Sequence, residues 1–149
     1  MIKWEELKPY IKSTFSPEQM EQIRIGLEND IDASKYANLK FDSFQMEQIR
    51  IGLEKHLNIS EYANPKYDCY QMEQIRVGLE HYLNVEMYNN PKYCWEQMEE
   101  IRFGLEKGLD ISQYANLKYN SKQMEKIRTK LENIIKTKYK EWQASKKQK

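Results

Sequence analysis

Five arginines, Arg24, Arg50, Arg76, Arg102 and Arg128, stand 26 residues apart, each with a glutamate three residues before it and another four residues after it. A regular row of guanidiniums is chemistry for oxyanions. It can meet phosphates along a nucleic-acid backbone, or it can close ion pairs with its own flanking carboxylates on one side of a helix. A second row, Lys40, Lys66, Lys92 and Lys118, places each lysine beside an aromatic, Phe41, Tyr67, Tyr93 or Tyr119. Basic and aromatic residues interleaved in this way suit single-stranded nucleic acid. Arg24, Arg50, Arg76, Arg102 and the four lysines are thus candidate nucleic-acid contacts. The charge balance weighs against that use: the net charge is +1, but residues 134–149 hold six lysines against Glu141, so the rest of the chain is acidic. A nucleic-acid footprint would be basic along the repeats themselves.

Other chemistry is thin. His56 and His81 are 25 residues apart, as are Cys69 and Cys94, and neither spacing is that of a zinc site, so no metal is expected. The glycines are isolated and form no phosphate-binding loop, and no nucleophile, base and orienting acid assemble with any specificity. The chain is expected to be no enzyme and to need no cofactor. Two lone cysteines without a CxxC partner suit a reducing compartment and thiols, not a disulfide.

The elements that would position these residues follow from one string. QMEQIR occurs at 19–24, 45–50 and 71–76, then QMEEIR at 97–102 and QMEKIR at 123–128. A constant period of 26 residues implies small helical units stacked along one direction. The expected fold is all-α, an α-solenoid of five such units, each a long helix plus a short one. Residues 1–15 form an N-terminal cap, 16–133 the array, and 134–149 a basic helix end and tail.

Residues Asp42 to Tyr67 give the unit in its clearest form. Asp42 with Gln45 reads as a capping box, as do Ser16 with Gln19, ahead of Pro17, and Asn120 with Gln123, whereas Cys94 is a poor cap. Met46, Ile49, Leu53 and Leu57 fall on one stripe and should be buried. A second cap, Asp32, Asn58, Asn84 or Asp110, opens the short helix, which Asn64 is placed to end by adopting a left-handed conformation. The aromatics Tyr36, Phe41, Tyr62, Tyr67, Tyr88, Tyr93, Tyr114 and Tyr119 should fill the space between layers. Gly26, Gly52, Gly78 and Gly104 give way to Lys130 in the last copy, and the adjoining apolar residue to Thr129. Glycine is therefore expected to let the next unit approach. Trp4, Leu7, Tyr10, Ile11 and Phe15 should cover the first layer.

Copies three and four depart from the consensus with Tyr70, His81, Tyr82, Met87 and Trp95. Large side chains of these types either pack locally or form the anchor of a protein-binding surface. The opening MIKWEELKPY has no apolar run long enough for a signal peptide or a membrane helix, so a cytoplasmic protein without membrane contact is expected.

The unit QMExIRxGLExxLDISxYANPKY resembles short helical repeats of phage and mobile-element proteins from low-GC Gram-positive bacteria. The resemblance covers Phe15 to about Glu132 and is specific for the repeat, not for an activity. It implies a small binding protein that inhibits host defence in the manner of an anti-CRISPR by occluding a protein partner. The alternatives are a nucleic-acid-binding array and a scaffold that self-associates through the terminal helix and Trp142.

Overall fold

Each long helix begins where a short polar side chain can close on the third helical residue. The computed structural model describes residues 1–11 and 14–148. Asp42 accepts from the Gln45 amide at 2.8 Å, while Gln45 Oε1 accepts from the Asp42 amide at 2.9 Å. Ser16, Asp68 and Asn120 form the same reciprocal pair. The fixed glutamine does a second thing that the sequence did not announce. Its Nε2 donates to a carbonyl 22 residues on, Gln19 to Phe41 at 2.7 Å and Gln45 to Tyr67 at 2.6 Å, so one side chain ties the helix start to the loop before the next helix.

The resulting order is α1 (Trp4–Ile11), α2 (Pro17–Glu28), α3 (Ser43–Glu54), α4 (Cys69–Glu80), α5 (Trp95–Glu106) and α6 (Ser121–Lys147), with 3-10 turns at Ala33–Lys35, Ile59–Glu61, Val85–Met87 and Ile111–Gln113. The described residues are all-helical, with no strand. They group into two compact units, Met1–Pro91 and Lys92–Lys149. In the first, α1 packs on α2, α2 on α3 and α3 on α4; in the second, α5 packs on α6.

The long helices stop through left-handed residues. Asp30, His56, Tyr82 and Gly108 have φ of 58°, 57°, 58° and 65°, and the following amide reaches back to the glycine carbonyl, as from Leu57 to Gly52 at 2.9 Å. This is the Schellman closure, with three of its four left-handed positions held by residues other than glycine. Asn64 is not left-handed, contrary to expectation. Its Oδ1 instead accepts the Lys66 amide at 3.0 Å, and Asn38 and Asn116 do the same for Lys40 and Lys118. The short turns open as expected on Asp32, Asn58 and Asp110, each holding a serine two residues later. Asn84 makes no such bond, and Glu86 stands where the serine hydroxyl would be.

Met46 and Ile49, with their counterparts Met72, Ile75, Met98 and Ile101, are fully buried; Leu53 and Leu57 are only partly so. Between the buried residues sits the tyrosine. Tyr62 Oη donates to the Gln48 carbonyl at 2.9 Å, and a Cβ on Gly52 would lie closer than 3.0 Å to that hydroxyl. Gly26, Gly78 and Gly104 face Tyr36, Tyr88 and Tyr114 in the same way. The glycine thus admits the tyrosine of its own unit, ten residues later, on the side of the helix that faces the next one. The loss of glycine in the last copy follows from this: Lys130 stands ten residues before Lys140, where no tyrosine has to be admitted, and α6 simply runs on.

At the first layer, Leu7, Tyr10 and Phe15 are partly buried, but Trp4 and Ile11 are exposed and do not serve as cover. The Cys94 amide donates to Gln97 Oε1 at 2.9 Å, so that half of the box survives without an oxygen cap. Cys94→Asp should put an oxygen in place of the weak sulfur acceptor and raise the unfolding free energy by about 1 kcal/mol, read as a shift of the urea midpoint at constant slope.

Candidate interaction surface

The arginine row turns inward. Arg50 Nε donates to Gln22 Oε1 at 3.0 Å and its Nη1 to Glu54 at 2.6 Å; Arg76 holds Gln48 at 2.9 Å and Glu80. In the Lys92–Lys149 unit, Arg128 Nε meets Glu100 at 2.6 Å and Nη1 meets Glu132, while Arg102 pairs with Glu106. Arg50, Arg76 and Arg102 are buried, and planar forks already filled by carboxylate or amide oxygens are not available to phosphate. Arg24, on the helix after α1, which carries no glutamine or asparagine, takes Glu21 at 2.6 Å and Glu28 at 2.5 Å instead, in a more open setting. The glutamate four residues after each arginine pairs with it as expected, and the one three residues before closes on Arg24 and Arg76; the contact that links one helix to the next was not legible in the sequence.

The lysine row stays outside. Lys40, Lys66, Lys92 and Lys118 are exposed, but Phe41, Tyr67 and Tyr93 beside them are buried, and Tyr119 is half-buried with the Lys118 ammonium 4.9 Å from its ring centre. Charge is presented at these positions without a free aromatic face for a base to stack on.

The residues nominated as a protein-binding anchor do not form one small patch. Tyr70 is at the start of α4 and His81 and Tyr82 just beyond its end, separated by a helix of 12 residues, roughly 18 Å. Trp95 opens α5 in the other unit and is half-buried. Within Met1–Pro91 two exposed edges result. At the amino ends of the helices, Tyr70 is 59 % exposed, and Phe44, which occupies the matching position of α3 and was not singled out from the sequence, is 64 % exposed. Phe44 could have been found by noting that it too replaces the Glu18 of the first copy.

The carboxyl ends form the second edge. Here Tyr82 is 96 % exposed, with Met87 at 47 %, and a shallow groove between α3 and α4 is lined by Lys55, His56, Leu57, Leu79, Glu80 and Tyr82. Lys55 and Glu80 bridge that groove at 2.7 Å. The left-handed conformation forced on His56 and Tyr82 aims both side chains out of the helix ends. Cys69 and Cys94 are free thiols, and burial pushes both up from the ordinary range, which makes them weak nucleophiles at neutral pH. Among the described residues, no helix is long and apolar enough to cross a membrane.

Comparison with protein-family models, with curated proteins and with solved structures finds no match for the chain.

Proposed function

We propose that the chain is a non-enzymatic α-solenoid of five 26-residue units that acts by binding and occluding a protein partner through the carboxyl-end edge of its long helices. The observation that carries this is Tyr82. A tyrosine in the left-handed region costs about 1 kcal/mol relative to the glycine that stands at the same point as Gly108, and its ring, almost wholly exposed, gains little from packing in return. A strained, solvated aromatic next to a groove is what a partner-binding anchor requires. His56 and Met87 extend the edge, and His81 caps the same helix. The resemblance of the repeat to phage and mobile-element proteins makes inhibition of a host defence component the favoured biological role.

The test uses the full chain as bait in a bacterial lysate, with and without nuclease, beside Tyr82→Gly. The expected result is a protein partner kept after nuclease by the parent and lost by Tyr82→Gly, even though the variant is more stable by about 1 kcal/mol. Retention of the partner in full by the folded variant would remove Tyr82 from the interface. Loss of every partner on nuclease treatment would favour nucleic acid, with the exposed Lys40, Lys66, Lys92 and Lys118 as the next positions to change.

A further inference from the structure

The outward face of α6 is the place where another helix of the same kind would sit, and its charges are wrong for one. In the Met1–Pro91 unit, Gln22 of α2 and Gln48 of α3 accept from the arginine of the following helix, Arg50 and Arg76. In the Lys92–Lys149 unit, Glu100 of α5 accepts from Arg128 of α6. The same register on α6 is Lys126. A helix bringing an arginine there would meet a like charge, which is destabilising even at the surface and worse once partly desolvated.

The neighbouring positions agree. Thr129 replaces the apolar residue of the other copies and Lys130 replaces glycine. Asn133 keeps the donor that Asn29, Lys55 and Lys107 offer to Glu54, Glu80 and Glu132 of the following helix. Lys126, Lys130, Asn133 and Thr137 lie within about 60° of one another around the helix, with Arg128 on the opposite side against α5. All four are exposed, and a groove runs along this face from Glu125 to Glu141, taking in Ile134 and Lys138.

We infer that this face of α6 docks an acidic amphipathic helix of a partner protein, one that carries carboxylates where the chain's own helices carry arginine. A second copy of this chain is disfavoured because each of its long helices would offer an arginine to Lys126. The surface belongs to the Lys92–Lys149 unit and is independent of the edge that holds Tyr82.

Two labelled synthetic peptides probe it, residues 95–118 with Arg102→Glu and the same segment with Arg102 kept, titrated against the full chain by fluorescence anisotropy at moderate salt. The Arg102→Glu peptide should bind about tenfold more tightly than its parent. Lys126→Glu with Lys130→Glu, checked for an unchanged thermal melt, should invert the order of the two peptides. Lys3→Glu with Lys35→Glu, which alters net charge equally but in the other unit, should leave it as it was. Equal affinity of the two peptides, or an order that survives the reversal at Lys126 and Lys130, would overturn the inference. So would displacement of the Arg102→Glu peptide by a single-stranded oligonucleotide of about 20 nucleotides, which would assign the face to nucleic acid.

Discussion

Gly52→Ala should lower the unfolding free energy by about 3 kcal/mol, although helix propensity by itself would raise it by about 1 kcal/mol. The added methyl would lie closer than 3.0 Å to the Tyr62 hydroxyl and 3.1 Å from Ile59 Cγ2. Tyr62 is fully buried and is the stiff end of a ring, so it cannot swing aside as a lysine could. Either the ring shifts and its hydroxyl leaves the Gln48 carbonyl, or α3 moves off the Ile59–Glu61 turn. Overpacking and an unpaired buried hydroxyl are each worth about 1–3 kcal/mol, which outweighs the propensity gain.

Removing the hydroxyl instead of the glycine separates these causes. Tyr62→Phe alone should be mild, since the Gln48 carbonyl still has the helical amide of Gly52. Combined with Gly52→Ala it should recover about half the loss, because the nearest remaining ring carbon, Cζ, would be 3.1 Å from the new methyl. Urea titrations of the parent, both single variants and the double variant measure the coupling. A Gly52→Ala chain at least as stable as the parent would refute the lock.

The second large effect concerns the arginine ladder, whose links are chemically unequal. Arg128→Met should cost about 3 kcal/mol and Arg50→Met about half as much. Arg128 faces Glu100, a buried carboxylate, and stacks against Phe103 at 5.4 Å, so its loss strands a charge. Arg50 faces the neutral amide of Gln22, which is left with one fewer hydrogen bond, and its carboxylate partner Glu54 is partly exposed and keeps the Asn29 amide. Glu100→Gln in the Arg128→Met background should return much of the loss, and the same urea series reads it out. Equal costs at the two positions would mean that Glu100 is screened by solvent and that the ladder is uniform.

Most of the local structure was legible because it depends on near neighbours in the chain. Capping boxes at Ser16, Asp42 and Asn120, the second caps at Asp32, Asn58 and Asp110, and the burial of Met46 and Ile49 all follow from spacing. What failed needed distances across the fold. Gly52 was assigned to the next unit because its partner Tyr62 lies ten residues away, outside any helical period. A left-handed end to the short helix was expected at Asn64 on residue preference, whereas the left-handed residues, His56 and Tyr82 among them, close the long helices and have no such preference.

The arginine pairs with flanking glutamates were expected, but the partners on the preceding helix, Gln22 and Gln48, were not, because nothing in the local spacing points to them. Tyr70 and Tyr82 stand out together as departures from a consensus, and the structure places them at opposite ends of one helix.

The links of the ladder within Met1–Pro91 are interchangeable. Gln22 offers to Arg50 what Gln48 offers to Arg76, and Asn29 reaches Glu54 as Lys55 reaches Glu80. Excising Asp42–Tyr67 would bring Gln22 against Arg76 and Asn29 against Glu80, so both ladder contacts are kept, whereas Asn89 would exchange Glu61 for Lys35 and lose the Tyr67 hydroxyl. Chain length is therefore a quantised variable in this architecture. Gene slippage or design can shorten or lengthen the chain by whole periods while the ladder keeps its chemistry, and any deletion that is not a multiple of the period leaves a cation facing the wrong group.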